Sequence, residues 1–140
     1  MSKFFLDEQL SPRDELINLL DYNGIHYHSD TDEIRFIFAA SGYKWENICR
    51  FAQYTVLVYG IYPFKVTSKP AALELINGIN AQLARGGFFL HESAVVLRTS
   101  ADLFDAYSSY EAIARTLEYN AGAMVTFWNR LAVLVRSTAK

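Results

Sequence analysis

The sequence predicts an α+β fold, a mostly antiparallel sheet packed by helices. Three observations lead there. Strand-like segments cluster in the order α-β-β-β-β-α-β-β-α instead of alternating strictly with helices. Ten Phe and nine Tyr among 140 residues suit the half-buried, pleated surfaces of a sheet. Three stretches with apolar residues at helical spacing are bounded by capping and stop signals. A chain of this length with 51% hydrophobic residues can bury a core without staples. One domain, 1–140, is therefore expected, with residues 1–10 as a flexible start.

The first helix begins at Ser11-Pro12-Arg13-Asp14, which offers an N-cap hydroxyl, a proline where no donor is missed and an acid in the first turn. Leu16, Ile17, Leu19 and Leu20 form its apolar face, and Asn23-Gly24 ends it. Ile25–Ser29 is a short strand, and Asp30-Thr31-Asp32 is the turn into Glu33–Ala39, where Ile34, Phe36 and Phe38 alternate with Glu33 and Arg35. Trp45–Ala52 reads as extended with poor alternation, so helix remains open for part of it. In Thr55–Val66 both faces are apolar, Leu57, Tyr59 and Ile61 against Val56, Val58 and Tyr62, which predicts a central strand covered on both sides. A second helix opens at Ser68-Lys69-Pro70 and runs to about Ala84, with Ala72, Leu75, Ile76, Ile79 and Leu83 on one side and Gly86-Gly87 as its stop. Phe88–His91 and Ala94–Thr99 follow as a hairpin. Ser108-Ser109-Tyr110-Glu111 has a capping-box pattern and opens one long last helix with the stripe Ile113, Leu117, Met124, Trp128, Leu131, Val135.

The formal net charge of −2 argues against a nucleic-acid binder, and Arg130, Arg136 and Lys140 make only a slight basic tail. The charge-poor stretches Phe51–Phe64 and Tyr119–Asn129 are too short to span a bilayer, and the first residues do not form a signal peptide. The single cysteine, Cys49, has no internal partner for a disulfide. These features together predict a cytoplasmic protein.

No motif here organises catalysis. His26, His28, Asp30 and Asp32 would share one face of a continuous strand, and two imidazoles with a carboxylate can hold zinc. The turn chemistry of Asp30-Thr31-Asp32 breaks that face, so no metal site is expected. Cys49 lacks a local base to activate it and reads as a buried, inert thiol. Gly86-Gly87 follows a helix and precedes a strand, the wrong order for a phosphate cradle. No cofactor and no catalytic residue are predicted. Asn77 and Asn80 are unusual inside a helix, and the simpler role for one of them is to satisfy backbone groups of a neighbouring segment.

The element order, with Leu75-Ile76-Asn77-Gly78-Ile79-Asn80-Ala81-Gln82-Leu83 leading through Gly86-Gly87-Phe88 into a hairpin, resembles the YbjN family over roughly Asp14 to Val135. Members of that family are described as bacterial sensory transduction regulators, and their fold resembles that of type III secretion chaperones. The resemblance implies a non-enzymatic domain that dimerises and binds other proteins. The turn at His91-Glu92-Ser93-Ala94 departs from the acidic-glycine turn associated with many members.

Between Tyr119 and Asn129 the last helix carries no charge, although a helix covering only one face of a sheet should show charges outside. Opposite its main stripe lie Gly122, Val125, Thr126, Asn129 and Val133. This side is the expected partner-binding face, either for a second copy or for another protein, and the competing expectation is that the chain's own fold covers it. Tyr43, Trp45, Tyr62 and Tyr107 are candidate aromatic anchors, although core packing is the simpler role for each. The sequence thus predicts a homodimeric protein-binding module, a chaperone-like or regulatory adaptor with a protein client. The alternative is a small-molecule or metal-binding domain with a minor enzymatic role.

Overall fold

A computed structural model of the chain describes residues 11–52, 54–103 and 109–136. The elements are α1 (Pro12–Tyr22), β1 (Tyr27–Ser29), β2 (Glu33–Ala40), β3 (Tyr43–Ala52), β4 (Thr55–Lys65), α2 (Lys69–Asn80), β5 (Gly87–His91), β6 (Ala94–Asp102), α3 (Ser109–Thr126) and α4 (Trp128–Arg136). The strands form one six-stranded sheet in the order β1-β2-β3-β4-β6-β5, with every neighbouring pair antiparallel. The α+β class is the one the sequence predicts, and so is the element order up to the last helix. Phe104, Tyr107 and Ser108, with residues 1–10, lie outside the described residues.

Local chemistry places the elements. Ser11 accepts a hydrogen bond from the Asp14 N–H at 3.1 Å and caps α1, and Ser68 does the same for α2 through the Ala71 N–H. Arg13 reaches across to the Ser29 hydroxyl and the Asp30 carbonyl, tying α1 to the β1–β2 hairpin. The β2–β3 turn has positive φ at both Ser41 and Gly42, as a two-residue hairpin loop of type I′ requires. Trp45–Ala52 is strand throughout, paired with β2 as far as Arg50 and with β4 from Glu46 onward.

Three expectations are corrected. The second helix ends at Asn80, because the Asn80 amide turns to the backbone of β5 and the chain leaves the helix through tight turns at Gln82 and Leu83. The last helix is interrupted at Phe127. There the buried Tyr62 hydroxyl donates to the Met124 carbonyl at 2.8 Å, and a side chain bonding into the helical ladder is a recognised cause of a kink. Finally, β4 is central but is not covered on both sides. Val56, Val58 and Tyr62 are buried beneath the helices, whereas Leu57, Tyr59 and Ile61 on the other face are only half-buried.

The helices pack on that one face over two apolar clusters. Leu16 and Leu20 of α1 and Ile113 and Leu117 of α3 cover Ile34, Phe36, Cys49, Val56 and Val58. Ile76 and Ile79 of α2, Met124 of α3 and Leu131 of α4 cover Trp45, Tyr62, Phe88, Val95 and Leu97. Beneath α3 lies a polar seam. Asn120 Nδ2 donates to the carbonyls of Val58 and Leu97 and to Thr99 Oγ1, while the Thr116 hydroxyl donates to Thr99 Oγ1 at 2.9 Å.

Candidate protein-binding groove

Among the described residues a groove of about 870 Å³ is bounded by the C-terminal end of α1, the segment after it, the first half of α3 and the outer end of β2. Leu19, Ile25, Phe38, Ala114 and Leu117 supply an apolar wall, Tyr22 and Tyr110 stand at the rim, and His26 and Glu118 also line it. Tyr22 is 87% exposed and Ile37 59%, high values for such large side chains.

Local sequence explains why this space exists. α1 ends at Tyr22, and the chain turns through Gly24 at φ +68° before β1 begins. The loop joining β1 to β2 is tight: the Asp30 N–H donates to the Glu33 carbonyl, and Asp30 Oδ1 accepts from the N–H groups of Asp32 and Glu33 at 2.9 and 3.0 Å. These two donors hold the Asp30 carboxyl below the usual carboxylate range. β1 then covers only part of its neighbour. It pairs Tyr27 with Phe36, His28 with Arg35 and Ser29 with Ile34, and stops. Ile37, Phe38 and Ala39 continue beyond it and form the floor of the groove.

The predicted partner face is split by the interruption at Phe127, so its residues fall on two helices. Gly122, Thr126, Asn129 and Val133 are exposed and Val125 is half-buried against the core. A Cβ added at Gly122 would meet nothing within 4 Å. Asn129 Oδ1 accepts from the Tyr43 phenol at 3.4 Å. Of the aromatic anchors, Trp45 and Tyr62 are core residues, 2% and 1% exposed, and cannot reach a partner. Tyr43 is half-buried and stacks on Trp128 with ring centroids 4.5 Å apart. Tyr107 lies outside the described residues.

Among the described residues no three His, Cys, Asp or Glu side chains gather to hold a metal ion, and Asp30 is already committed to its turn. Cys49 is fully buried, and burial pushes its thiol up to about 12, so it is protonated at neutral pH. Asn80 takes the simpler of its two roles: it bonds the Phe88 backbone from both ends of its amide, while Asn77 is exposed. No described helix is long and apolar enough to cross a membrane.

Sequence reasoning missed the groove. The available signals were Ile37, an apolar residue on the face that otherwise carries Glu33 and Arg35, and Tyr22 at a helix end.

No family profile and no curated protein matches this chain. Among solved structures the chain is similar to YbjN of E. coli, a protein described as a candidate transcription regulator, at 17% identity. The likeness covers 78% of this chain and 82% of that one with a TM-score of 0.56, and the fold of this protein is therefore the α+β fold of YbjN.

Proposed function

We propose that this chain is a non-enzymatic protein-binding module, a chaperone-like or regulatory adaptor that acts in the cytoplasm as a homodimer. The observation that supports it most is the groove: an apolar wall flanked by exposed aromatic residues, a combination that characterises protein-binding surfaces. The likeness to a protein described as a candidate transcription regulator fits a regulatory role. The work of such a module is recognition by a preformed surface, and the buried, protonated Cys49 takes no part in it.

Ala114→Arg tests the reading by filling the groove from its wall. Affinity capture from native extract should retain partners with the wild type and lose them with this variant, at an unchanged melting temperature. Identical captured sets would count against the groove. The homodimer surface of this proposal is the outer side of α3 and α4, around Gly122, Val125, Thr126, Asn129 and Val133; the absence of charge from Tyr119 to Asn129 and the exposure of Gly122 and Val133 support it.

A further inference from the structure

We infer that a second, polar cavity binds an oxyanion, the phosphate or carboxylate group of a small molecule. The cavity encloses about 270 Å³ between the last residues of β6, the loop that enters β5 and the first half of α3. Among the described residues it shares no lining side with the protein-binding groove, and it goes beyond that reading and stands without it.

The first ground is a backbone donor that the sheet leaves free. β5 begins at Gly87, opposite Arg98, whereas β6 continues to Asp102. Successive residues of an antiparallel strand turn their N–H and C=O alternately to either side. The Leu103 N–H donates to the Tyr54 carbonyl at 2.6 Å, so Leu103, Ala101 and Thr99 turn toward β4, and Ser100 and Asp102 turn away from it. Continuing the β5 register would set Arg85 opposite Ser100, but the pairing stops at Gly87. The Arg85 N–H donates instead to the Tyr119 hydroxyl at 3.2 Å, and its carbonyl accepts from that hydroxyl at 3.1 Å. Gly86, at φ +72°, makes this departure, and a Cβ there would lie 2.4 Å from the Arg98 carbonyl oxygen. The Ser100 N–H therefore faces the cavity with no partner among the described residues.

The second ground is charge. Arg85 and Arg115 both line the cavity. The Arg85 guanidinium has no ion-pair partner among the described residues, and Arg115 is held by Glu111, one turn back on the same exposed helix face. An exposed pair of this kind contributes little, so Arg115 can turn to a ligand. Asp102 is the one acid in the lining, and its side chain points elsewhere. Arg98, Ser100 and Asp102 are exposed on the open face of the sheet, while Thr99 and Leu103 are buried beneath the helices. The Thr99 and Thr116 hydroxyls are bonded to each other. Recognition thus falls to two guanidinium groups and a backbone N–H, donors without acceptors, which is the chemistry that holds an oxyanion.

The test uses the full chain, with inorganic phosphate and acetate as probes at an ionic strength held constant with chloride. At least one of them should bind in the millimolar range and shift the Ser100 amide resonance in a saturable way. Arg85→Gln removes a charged donor but keeps the backbone bonds to Tyr119, and should weaken binding about tenfold, as should Arg115→Gln. Arg98→Gln removes the same charge from the open sheet face and should leave binding unchanged. Binding of phosphate alone makes the ligand a phosphate, binding of acetate alone makes it a carboxylate, and binding of both supports the shared chemistry. The site is overturned if neither anion moves the Ser100 resonance, if Arg85→Gln binds as the wild type does, or if Arg98→Gln loses as much as Arg85→Gln, which would reduce the effect to general surface charge.

Discussion

At Gly60 the central strand has no side chain because Asn120 and Met124 occupy that space. A Cβ there would lie 2.6 Å from Asn120 Oδ1 and 2.9 Å from Met124 Sδ. Asn120 is held in place through its nitrogen by three acceptors, while its Oδ1, the atom the new methyl would strike, has no partner among the described residues. Gly60→Ala should therefore destabilise the protein by about 1–3 kcal/mol, as overpacking of a filled core does, and a lowered urea midpoint would report it. Asn120 was legible in principle, since it falls on the buried stripe between Leu117 and Met124 where an apolar residue is expected. Its partners were not, because Val58, Leu97 and Thr99 reach it only through the strand order. Cys49 sets a pH dependence. Its thiol is raised from 9.0 to about 12 by burial, so the unfolded chain loses this proton first and stability should fall as pH rises through that interval. A shallower decline in Cys49→Ala, measured by denaturation at several alkaline pH values, would assign its share, the rest including the Tyr62 phenol that burial also pushes up.

The elements differ in how much of them sequence could reveal. β2 was nearly complete from its alternation, and α1 from its caps, because both signals are local. The interruption at Phe127 was not legible: it falls where Tyr62, a residue of a distant strand, bonds Met124. The groove was hidden for a similar reason, since it depends on β1 being shorter than β2, and no residue marks where pairing stops. Two substitutions probe the elements directly. Asn80→Leu should cost about 1–3 kcal/mol by leaving the buried Phe88 backbone unpaired, whereas Asn77→Ala should be nearly neutral, and paired chemical denaturation curves would separate them. In the β5–β6 turn, Glu92 and Ser93 both have positive φ, at 48° and 72°. Replacing them with Asn and Gly should stabilise the hairpin by roughly 1 kcal/mol, seen as a higher melting temperature.

For the molecule as a whole, assembly is the accessible measurement. Light scattering across a dilution series should give the mass of a dimer, and Gly122→Arg should give that of a folded monomer, because the position has open space around it. A wild type that is monomeric at every concentration would remove the homodimer from the proposal. One feature of the topology also bears on how the chain is made. β1 to β4 are joined by successive hairpins, but the other side of β4 is completed by β6, so that Thr55 pairs with Asp102 across the whole of α2 and β5. During synthesis the four-strand meander can assemble early, while Val56, Val58 and Tyr62 wait on a bare inner strand for residues near position 100 to emerge. The nascent protein therefore passes through a stage at which its future centre is an edge, and slowing translation between β4 and β6 would lengthen the interval in which that edge can aggregate.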